Sequence, residues 1–308
     1  MYFPYLRGRQ FELLAIRELM KANKLSENVI PIIEPVKFTS TLSSTIETFK
    51  NTNNKLAIIS NPEVGDCFSE LSLDEKKDKV DAFQDVSKIS NVIWAYLINS
   101  RISSHIKSKI ENKEFNNEIM AICLNEDNVV DYLETFNIFK PNYSVIPYDP
   151  AFRDIRDNRV QIADRFKKKK RNSEYDTDGD EPFSKDHLYY REDNYIGFSD
   201  YSIIGNEYSD SGFAPYAVAI HIVFFKDNAL RIKHFVSDSN DDISDPANKF
   251  HEAVGKLVEW NKIEQLNTIG IQQFEEYYKT GAYPGLGVAK KLSIMHHLEI
   301  MGEYLDKQ

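Results

Sequence analysis

Cysteine is scarce in this chain of 308 residues, and long apolar runs and secretion signals are missing altogether. The two cysteines, Cys67 and Cys123, form no Cys-x-x-Cys pair, which favours two reduced thiols in a reducing compartment. The longest apolar run is far shorter than the roughly 18 residues that a membrane span needs. The opening residues, MYFPYLRGRQ, contain no signal-peptide cleavage site. We therefore expect a cytoplasmic protein with no membrane partner.

Positive charge is in the minority, with 38 Lys and Arg against 48 Asp and Glu and a formal net charge of −10. This balance weighs against non-specific binding to nucleic acid. The one strong basic run, residues 167–171, follows a helical pattern, and cations are favoured at a helix C-terminus. It also lacks the interleaved aromatic residues that stack on bases. Nucleic acid is therefore not the partner that we expect.

Common catalytic signatures are missing as well. The sequence has no Gly-x-Ser-x-Gly, His-Glu-x-x-His or Cys–His pattern. The neighbouring residues His296 and His297 would point about 100° apart on a helix and could not both ligate one metal well. His221 lies among aliphatic residues in a predicted strand, which indicates a hydrogen-bonded core histidine. Any chemistry has to be argued from other polar residues.

The sequence does contain a repeated pattern of short, nearly continuous apolar runs that close on Asn, Asp or Glu. These runs cover residues 28–37, 56–63, 92–100, 118–127 and 143–150. Continuous apolar character predicts strands that are buried on both faces, as in parallel sheets. Their spacing of about 24 to 38 residues leaves room for one helix in each βαβ unit.

Helical patterns fill the gaps between these runs. Helices are predicted over residues 8–23, 73–89, 127–139 and 157–171. The first has a broad apolar face, the second is acidic in its first turn, and the fourth ends in the basic run. Regular βα units are therefore predicted over residues 1–171.

The pattern changes after residue 171. Residues 172–186 are polar and rich in turn formers, which predicts an exposed loop within an insertion over 172–194. A strand is predicted over 195–204. The segments 216–225 and 229–238, joined by three residues, predict a β-hairpin. Helices complete the chain, the first over 245–265 with Asp245 as its cap and Pro246 in its first turn.

Five βα units followed by three more strands predict an α/β protein with a (β/α)8-like barrel of the TIM type. We expect residues 1–308 to form one barrel-like domain whose irregular second half, residues 195–308, holds the hairpin and the C-terminal helices. A doubly wound open sheet is the main alternative. Both folds place ligands at the carboxyl ends of the parallel strands.

Polar residues at these strand ends would gather on one rim. They are Glu34, Asn61, Glu63, Asn99, Asn125 and Asp149. The acids Glu34, Asp149 and Asp200 are the candidate catalytic residues, as bases or as ligands of a divalent metal ion. Acids that share a rim repel one another unless a metal or a cation relieves them, and Lys37 and Arg153 could do so without a metal. Ion pairing and helix capping are the competing interpretation.

Two arginines flank Gly8 just before the first predicted helix. Together with the N–H groups of the helix start, Arg7 and Arg9 are suited to an anionic group such as phosphate. Lys37 and Arg153 would extend this anion-binding set. The alternative is that Arg7 and Arg9 pair with rim carboxylates such as Glu34.

The segment YFPYLRGRQFELLAIREL, followed by IPIIEPVK, resembles the opening of the Beta-protein family of phages and bacteria. The residues that match are Pro4, Leu6, Arg7, Gly8, Arg9, Glu12, Ala15, Ile16 and 31–34. The chain resembles in particular an uncharacterised bacterial branch that shares GFSDYS. Ser199 stands where the wider family often has glycine before Asp200 and Tyr201. The resemblance implies a role in phage–host conflict and no defined activity.

Two functions remain open at this point. The first is a binding protein that acts with a partner protein in phage–host conflict, that is, in antiviral defence. Its surface candidates are the aromatic pairs Tyr189–Tyr190 and Tyr277–Tyr278. The second is an enzyme for a phosphorylated or nucleotide-like ligand, in which Arg7 and Arg9 hold the anion and Glu34 or Asp200 acts as base, with or without a divalent metal ion.

Overall fold

The computed structural model describes residues 1–65, 89–112, 114, 118–177, 179–209 and 215–308. Cys67 and nearly all of the helix predicted over 73–89 fall outside these ranges. Labels below number the helices and strands of the described residues in chain order.

Eight parallel strands form the barrel, in the order β1-β2-β3-β4-β5-β6-β7-β9. They are Tyr5–Leu6, Ile32–Ile33, Leu56–Ile59, Val92–Leu97, Ile119–Ile122, Tyr143–Pro147, Arg159–Ala163 and Gly197–Asp200. Tyr2 joins the two edges, because it forms parallel bridges to Val29 and to Phe198. The backbone N–H of Phe3 also donates to the carbonyl of Phe198 over 2.8 Å. The predicted (β/α)8-like barrel is confirmed.

Side chains alternate between the barrel interior and the surrounding layer. In β3, Ala57 and Ile59 belong to an interior cluster, whereas Leu56 and Ile58 belong to the cluster outside the barrel wall. All four residues of β3 are buried. This explains the continuous apolar runs of the sequence, since both faces of each strand are covered.

Eight helices are present in the described residues. They are α1 Gln10–Lys21, α2 Ser40–Glu47, α3 Ser100–Glu111, α4 Val129–Thr135, α5 Asp186–Tyr189, α6 Pro246–Glu264, α7 Ile269–Thr280 and α8 Leu286–Leu305. Asp245 caps α6 as predicted, accepting a hydrogen bond from the Asn248 N–H at 3.0 Å. Gly8 turns the chain into α1 with φ of +64°, and a Cβ there would lie 3.0 Å from Ile33 Cγ2.

A second, antiparallel sheet contains the predicted hairpin. It consists of β10 (Ala219–Lys226), β11 (Ala229–Val236) and β8 (Glu181–Ser184), in the order β10-β11-β8. The hairpin itself is confirmed, but its strands lie outside the barrel. The loop predicted over 172–186 is only partly as expected: many of its described residues are exposed, but Tyr175 and Phe183 are buried and β8 pairs with β11.

The helix predicted over 157–171 is also wrong, since these residues contain strand β7. Val160 and Ile162 are buried side by side in the barrel wall, and β7 pairs with β6 and β9. Their spacing of two is the strand period. The eight predicted barrel strands included the two strands of the hairpin. In the structure, β7 and the unpredicted β1 are barrel strands in their place.

Helix α8 is the centre of the layer outside the barrel. It contacts α1, α7 and β10, and it is buried almost all round over residues 289–302. Despite this burial, no helix in the described part of the chain has the length and apolar character needed to cross a membrane.

Candidate functional site

The carboxyl ends of the barrel strands surround an open cavity of about 500 Å³. Residues that follow β5, β6, β7 and β9 line it, among them Leu124, Tyr148, Asp149, Arg165 and Tyr201. We call this region the rim cavity. It lies where ligands bind in barrel proteins, and it is therefore the place to locate the predicted site residues.

Glu34 follows β2 and is 1% exposed. One carboxylate oxygen accepts hydrogen bonds from the Tyr5 hydroxyl at 2.7 Å and from the Arg7 guanidinium, and the other accepts from the Glu63 N–H at 2.9 Å. Lys37 is exposed and forms no ion pair with any described residue. Glu34 is therefore neutralised by Arg7 and not by Lys37. This agrees with the alternative that Arg7 pairs with a rim carboxylate.

The two arginines of the predicted anion site bind the chain itself. Arg7 donates to the carbonyl of Asn206 and stacks against Tyr5, with 5.2 Å between its guanidinium carbon and the ring centre. Arg9 donates to the carbonyl of Ser209 and lies 5.0 Å from the ring centre of Tyr208. Both guanidinium groups thus hold the segment 206–209 against the start of α1. Binding of an external anion by this pair stays a prediction.

Asp200 ends β9 and is 2% exposed. Its Oδ1 accepts from the Tyr2 hydroxyl and from the Ser202 N–H, both at 2.7 Å. Burial raises the pKa of Asp200 to about 7, and the two hydrogen bonds oppose this shift. The neighbouring Ser199, at the position where the Beta-protein family often has glycine, donates to the Phe3 carbonyl at 2.6 Å. The end of β9 is thus bonded to the N-terminal segment.

The third acid, Asp149, is exposed at the rim cavity and caps a short 3-10 turn. Its side chain accepts from the Ala151 N–H at 2.8 Å. Arg153 is also exposed and makes no ion pair with Asp149. It lines a neighbouring cavity of about 250 Å³ together with Tyr195. The expected pairing of Asp149 with Arg153 is therefore not seen.

The three candidate acids are not gathered into one cluster. Glu34 and Asp200 are buried and bonded to different tyrosines, whereas Asp149 is at the surface. In the part of the chain that the structure describes, no three His, Cys, Asp or Glu side chains are placed to hold a metal ion together.

The polar residues at the other strand ends have local roles. The Asn61 side chain bonds to the N–H and carbonyl of Leu97, at 2.9 and 2.7 Å, and links β3 to β4. Asn99 caps α3 by accepting from Ile102, and Asn125 caps the 3-10 turn 126–128. Glu63 contributes its backbone N–H to Glu34 and has an exposed side chain. For Asn99 and Asn125 this is the helix capping of the competing interpretation.

Several residues at the rim were not predicted. Arg165 pairs with Asp186 through its Nε at 2.8 Å, and Asp164 accepts from the Asn206 N–H at 2.9 Å. Tyr148 is 62% exposed beside the cavity. Asp164 and Arg165 follow β7, so the mistaken helix hid them, whereas Tyr148 could have been noticed at the end of the run 143–150.

Three of the four predicted surface tyrosines are not freely exposed. Tyr190 is 4% exposed, and Tyr277 and Tyr278 are partly buried against the core. Of the four, only Tyr189, at 48% exposure, is an exposed residue. Tyr148 is therefore a better surface candidate than either predicted pair.

Comparison with known proteins yields no match: no protein-family model, no curated protein and no solved structure matches the chain. The resemblance to the Beta-protein family thus stays a prediction based on the residues quoted above.

Proposed function

We propose that this chain is a binding protein that engages a partner protein at its rim cavity. The observation that carries this proposal is the 62% exposed ring of Tyr148 beside an open cavity of about 500 Å³. Aromatic residues that can be buried in a contact are the residue types enriched at the energetic centres of interfaces.

The chemistry of the rim cavity favours a basic or amphipathic partner side chain. Tyr148 and Tyr201 supply aromatic surface, and Asp149 and Asp164 supply carboxylates. The one arginine in the lining, Arg165, is already paired with Asp186. An aromatic face beside a carboxylate is the combination that attracts a lysine or arginine side chain.

The enzyme alternative has less support at this rim. A catalytic base must reach the substrate within hydrogen-bonding distance. Glu34 and Asp200 are 1% and 2% exposed and already accept hydrogen bonds from Tyr5 and Tyr2. A role in holding the barrel together explains these bonds directly.

The biological setting that we propose is phage–host conflict, and it rests on the family resemblance alone. If the rim cavity serves antiviral defence, cells that produce the Tyr148→Ala variant should lose phage protection. Plaque counts on cells with the wild-type chain, the variant and an empty vector measure this. Equal protection by the variant and the wild-type chain would show that defence does not depend on Tyr148 at the rim cavity.

The binding proposal is tested by quantitative co-purification of the tagged chain from its own cells. We expect the Tyr148→Ala protein to recover at least about tenfold less of a stoichiometric partner than the wild type does. This is the size of effect that one interface anchor residue has on binding. Tyr216→Ala is the matched control, because Tyr216 is 60% exposed and lies outside the rim. If Tyr216→Ala loses the partner and Tyr148→Ala retains it, the interface lies outside the rim. If both variants retain the partner, the rim is not the binding face.

A further inference from the structure

A second cavity lies away from the rim cavity, between the antiparallel sheet and α8. It has a volume of about 230 Å³ and is lined by β10, by the first half of α8 and by the segment after β9. None of its lining residues belongs to the rim cavity. We call it the α8 cavity.

The wall of the α8 cavity combines apolar and polar surface in similar amounts. Ile203, Val218, Ile220, Leu286 and Ala289 contribute aliphatic side chains to its wall. Four polar side chains join them, from Asn172, His221, Lys290 and Ser293. An apolar wall with a few converging polar groups is the usual composition of a small-molecule site.

Two of these polar side chains each have a polar atom that forms no hydrogen bond with any described residue. Ser293 is 2% exposed, and its hydroxyl makes no hydrogen bond to any described residue. His221 bonds through Nδ1 to His234 Nδ1 at 2.7 Å, and no described residue contacts its Nε2 by a hydrogen bond. The Ser293 hydroxyl is not one of the fully enclosed side-chain atoms without a partner, so it is reached from the cavity and is free to bond to a molecule there.

Lys290 is the charged side chain among the described residues that line the α8 cavity. Lys290 Nζ lies 3.7 Å from Glu12 Oε1, too far for a good hydrogen bond. Burial lowers the pKa of Lys290, and the nearby charges of Arg9 and Lys168 lower it further, while Glu12 opposes them. Glu12 is also shared with the N–H groups of Arg7 and Arg9. Among the described residues Lys290 has Glu12 as its ion-pair partner, while Lys168 pairs with Glu207 and the Arg9 guanidinium bonds to the Ser209 carbonyl.

We propose that the α8 cavity binds a small organic anion, whose charged group contacts Lys290 and Ser293 and whose apolar part lies against Ile203, Val218 and Ala289. The volume matches roughly eight water molecules at liquid density. It is below the range of about 300–1,000 Å³ that larger ligands occupy. A compact carboxylate or phosphate ester fits this space, and a nucleotide does not.

Binding is measured by calorimetry with three compact anions, hexanoate, benzoate and phenyl phosphate, each compared with a neutral counterpart such as hexanol or benzyl alcohol. We expect at least one anion to bind with a Kd below about 1 mM and at least about tenfold tighter than its neutral counterpart. Lys290→Met should remove this preference for the anion. Ser293→Ala should weaken anion binding several-fold.

Two further variants separate loss of the site from loss of the fold. Lys291→Met removes the next cation of the same helix, which pairs with Glu18 at 2.7 Å and does not line the cavity, so anion binding should persist. Ala289→Leu fills the apolar wall and should block binding while keeping Lys290.

Three outcomes with the organic anions would overturn the proposal. They are failure of all three anions to bind, equal affinity for an anion and its neutral counterpart, and undiminished binding by a folded Lys290→Met protein. Inorganic phosphate that binds as tightly as phenyl phosphate, and equally well to Ala289→Leu, would show that surface cations alone hold the anion and would also overturn it.

Discussion

Two buried tyrosine–carboxylate pairs at the end of the barrel show how the same contact can differ in its electrostatics. Tyr5 donates to Glu34 and Tyr2 donates to Asp200, each over 2.7 Å. Glu34 also has the guanidinium of Arg7 as a direct partner. Asp200 has no ion pair within the described residues, and burial raises its pKa to about 7. A cation in direct contact therefore distinguishes the two pairs.

The raised pKa of Asp200 makes the stability of the fold depend on pH. In the folded state Asp200 keeps its proton up to about pH 7, whereas in the unfolded chain it loses it near pH 4. The raised pKa of Asp200 therefore makes its full contribution to the free energy of unfolding below about pH 4. This contribution is lost as the pH rises to about 7. Asp200→Asn keeps an oxygen to accept from Tyr2 and Ser202 and does not titrate. In urea unfolding, the unfolding free energy of the variant minus that of the wild type should rise by about 2 to 4 kcal/mol between about pH 4 and pH 8.

Parallel pH profiles for the wild type and Asp200→Asn would contradict this raised pKa. Other titrating groups are common to both proteins and cancel in the difference between their unfolding free energies.

The ion pair of Glu34 and Arg7 should stabilise the fold, because removing one buried charge leaves the other without a partner. We expect Glu34→Gln to lower the free energy of unfolding by about 2 to 4 kcal/mol. Glu118→Gln is the matched control, since Glu118 pairs with Lys55 at 2.7 Å with both side chains 37% exposed. That change should cost less than about 1 kcal/mol. Equal effects in denaturant titrations would contradict the structural role of Glu34.

The presence of the rim acids could be predicted from the sequence, but their partners could not. Glu34 follows an apolar run, and such a position predicts a strand end. Its bonds come from Tyr5 in the neighbouring strand β1, from Arg7 directly after that strand, and from the backbone of Glu63 after β3. Only the barrel arrangement decides that these donors reach the same carboxylate.

At the scale of elements, the strands with long apolar runs and β9 were predicted from the sequence, whereas β1, β7 and β8 were not. Strand β1 contains two residues, too few to show a period. Strand β7 contains Gln161, a buried polar residue whose amide bonds to Asp186 at 3.0 Å. A polar residue between Val160 and Ile162, followed by a basic run, fits an amphipathic helix as well as a strand. The hairpin was predictable because its turn is local, whereas its place outside the barrel depends on α8.

Close packing between α7 and α8 depends on a glycine. A Cβ at Gly270 would lie 2.3 Å from the Leu292 carbonyl oxygen, a backbone atom that cannot rotate away. We expect Gly270→Ala to lower the free energy of unfolding by about 2 to 3 kcal/mol, because the helices must separate.

Gly255→Ala in α6 is the control for this change. Its Cβ would lie 3.0 Å from the ring edge of Tyr278, a side chain that can move. The higher helix propensity of alanine, about 1 kcal/mol, should offset much of that contact. A Gly270→Ala protein as stable as Gly255→Ala in thermal unfolding would contradict the tight helix contact.

At the scale of the whole molecule, closure of the barrel joins residues that are nearly 200 positions apart. Tyr2 is fully buried, stacks on Phe198 with 5.3 Å between ring centres, and lies 5.5 Å from the ring of His297 in α8. The N-terminal segment, β9 and α8 therefore meet at one aromatic contact. Bringing such distant residues together has an entropic cost, which the packing at this contact offsets.

This meeting point predicts that Tyr2→Ala opens the barrel seam before the rest of the fold. The change removes a fully buried aromatic side chain and the hydroxyl bonded to Asp200, and such truncations cost about 3 to 5 kcal/mol. In hydrogen exchange, peptides covering residues 1–6 and 196–201 should lose protection together, whereas the seam between β4 and β5 keeps it. Ile263→Ala, at an 81% exposed position, should leave both seams unchanged. Uniform loss of protection around the barrel would instead mean that the eight strands open as one unit and that Tyr2 does not control a separate seam.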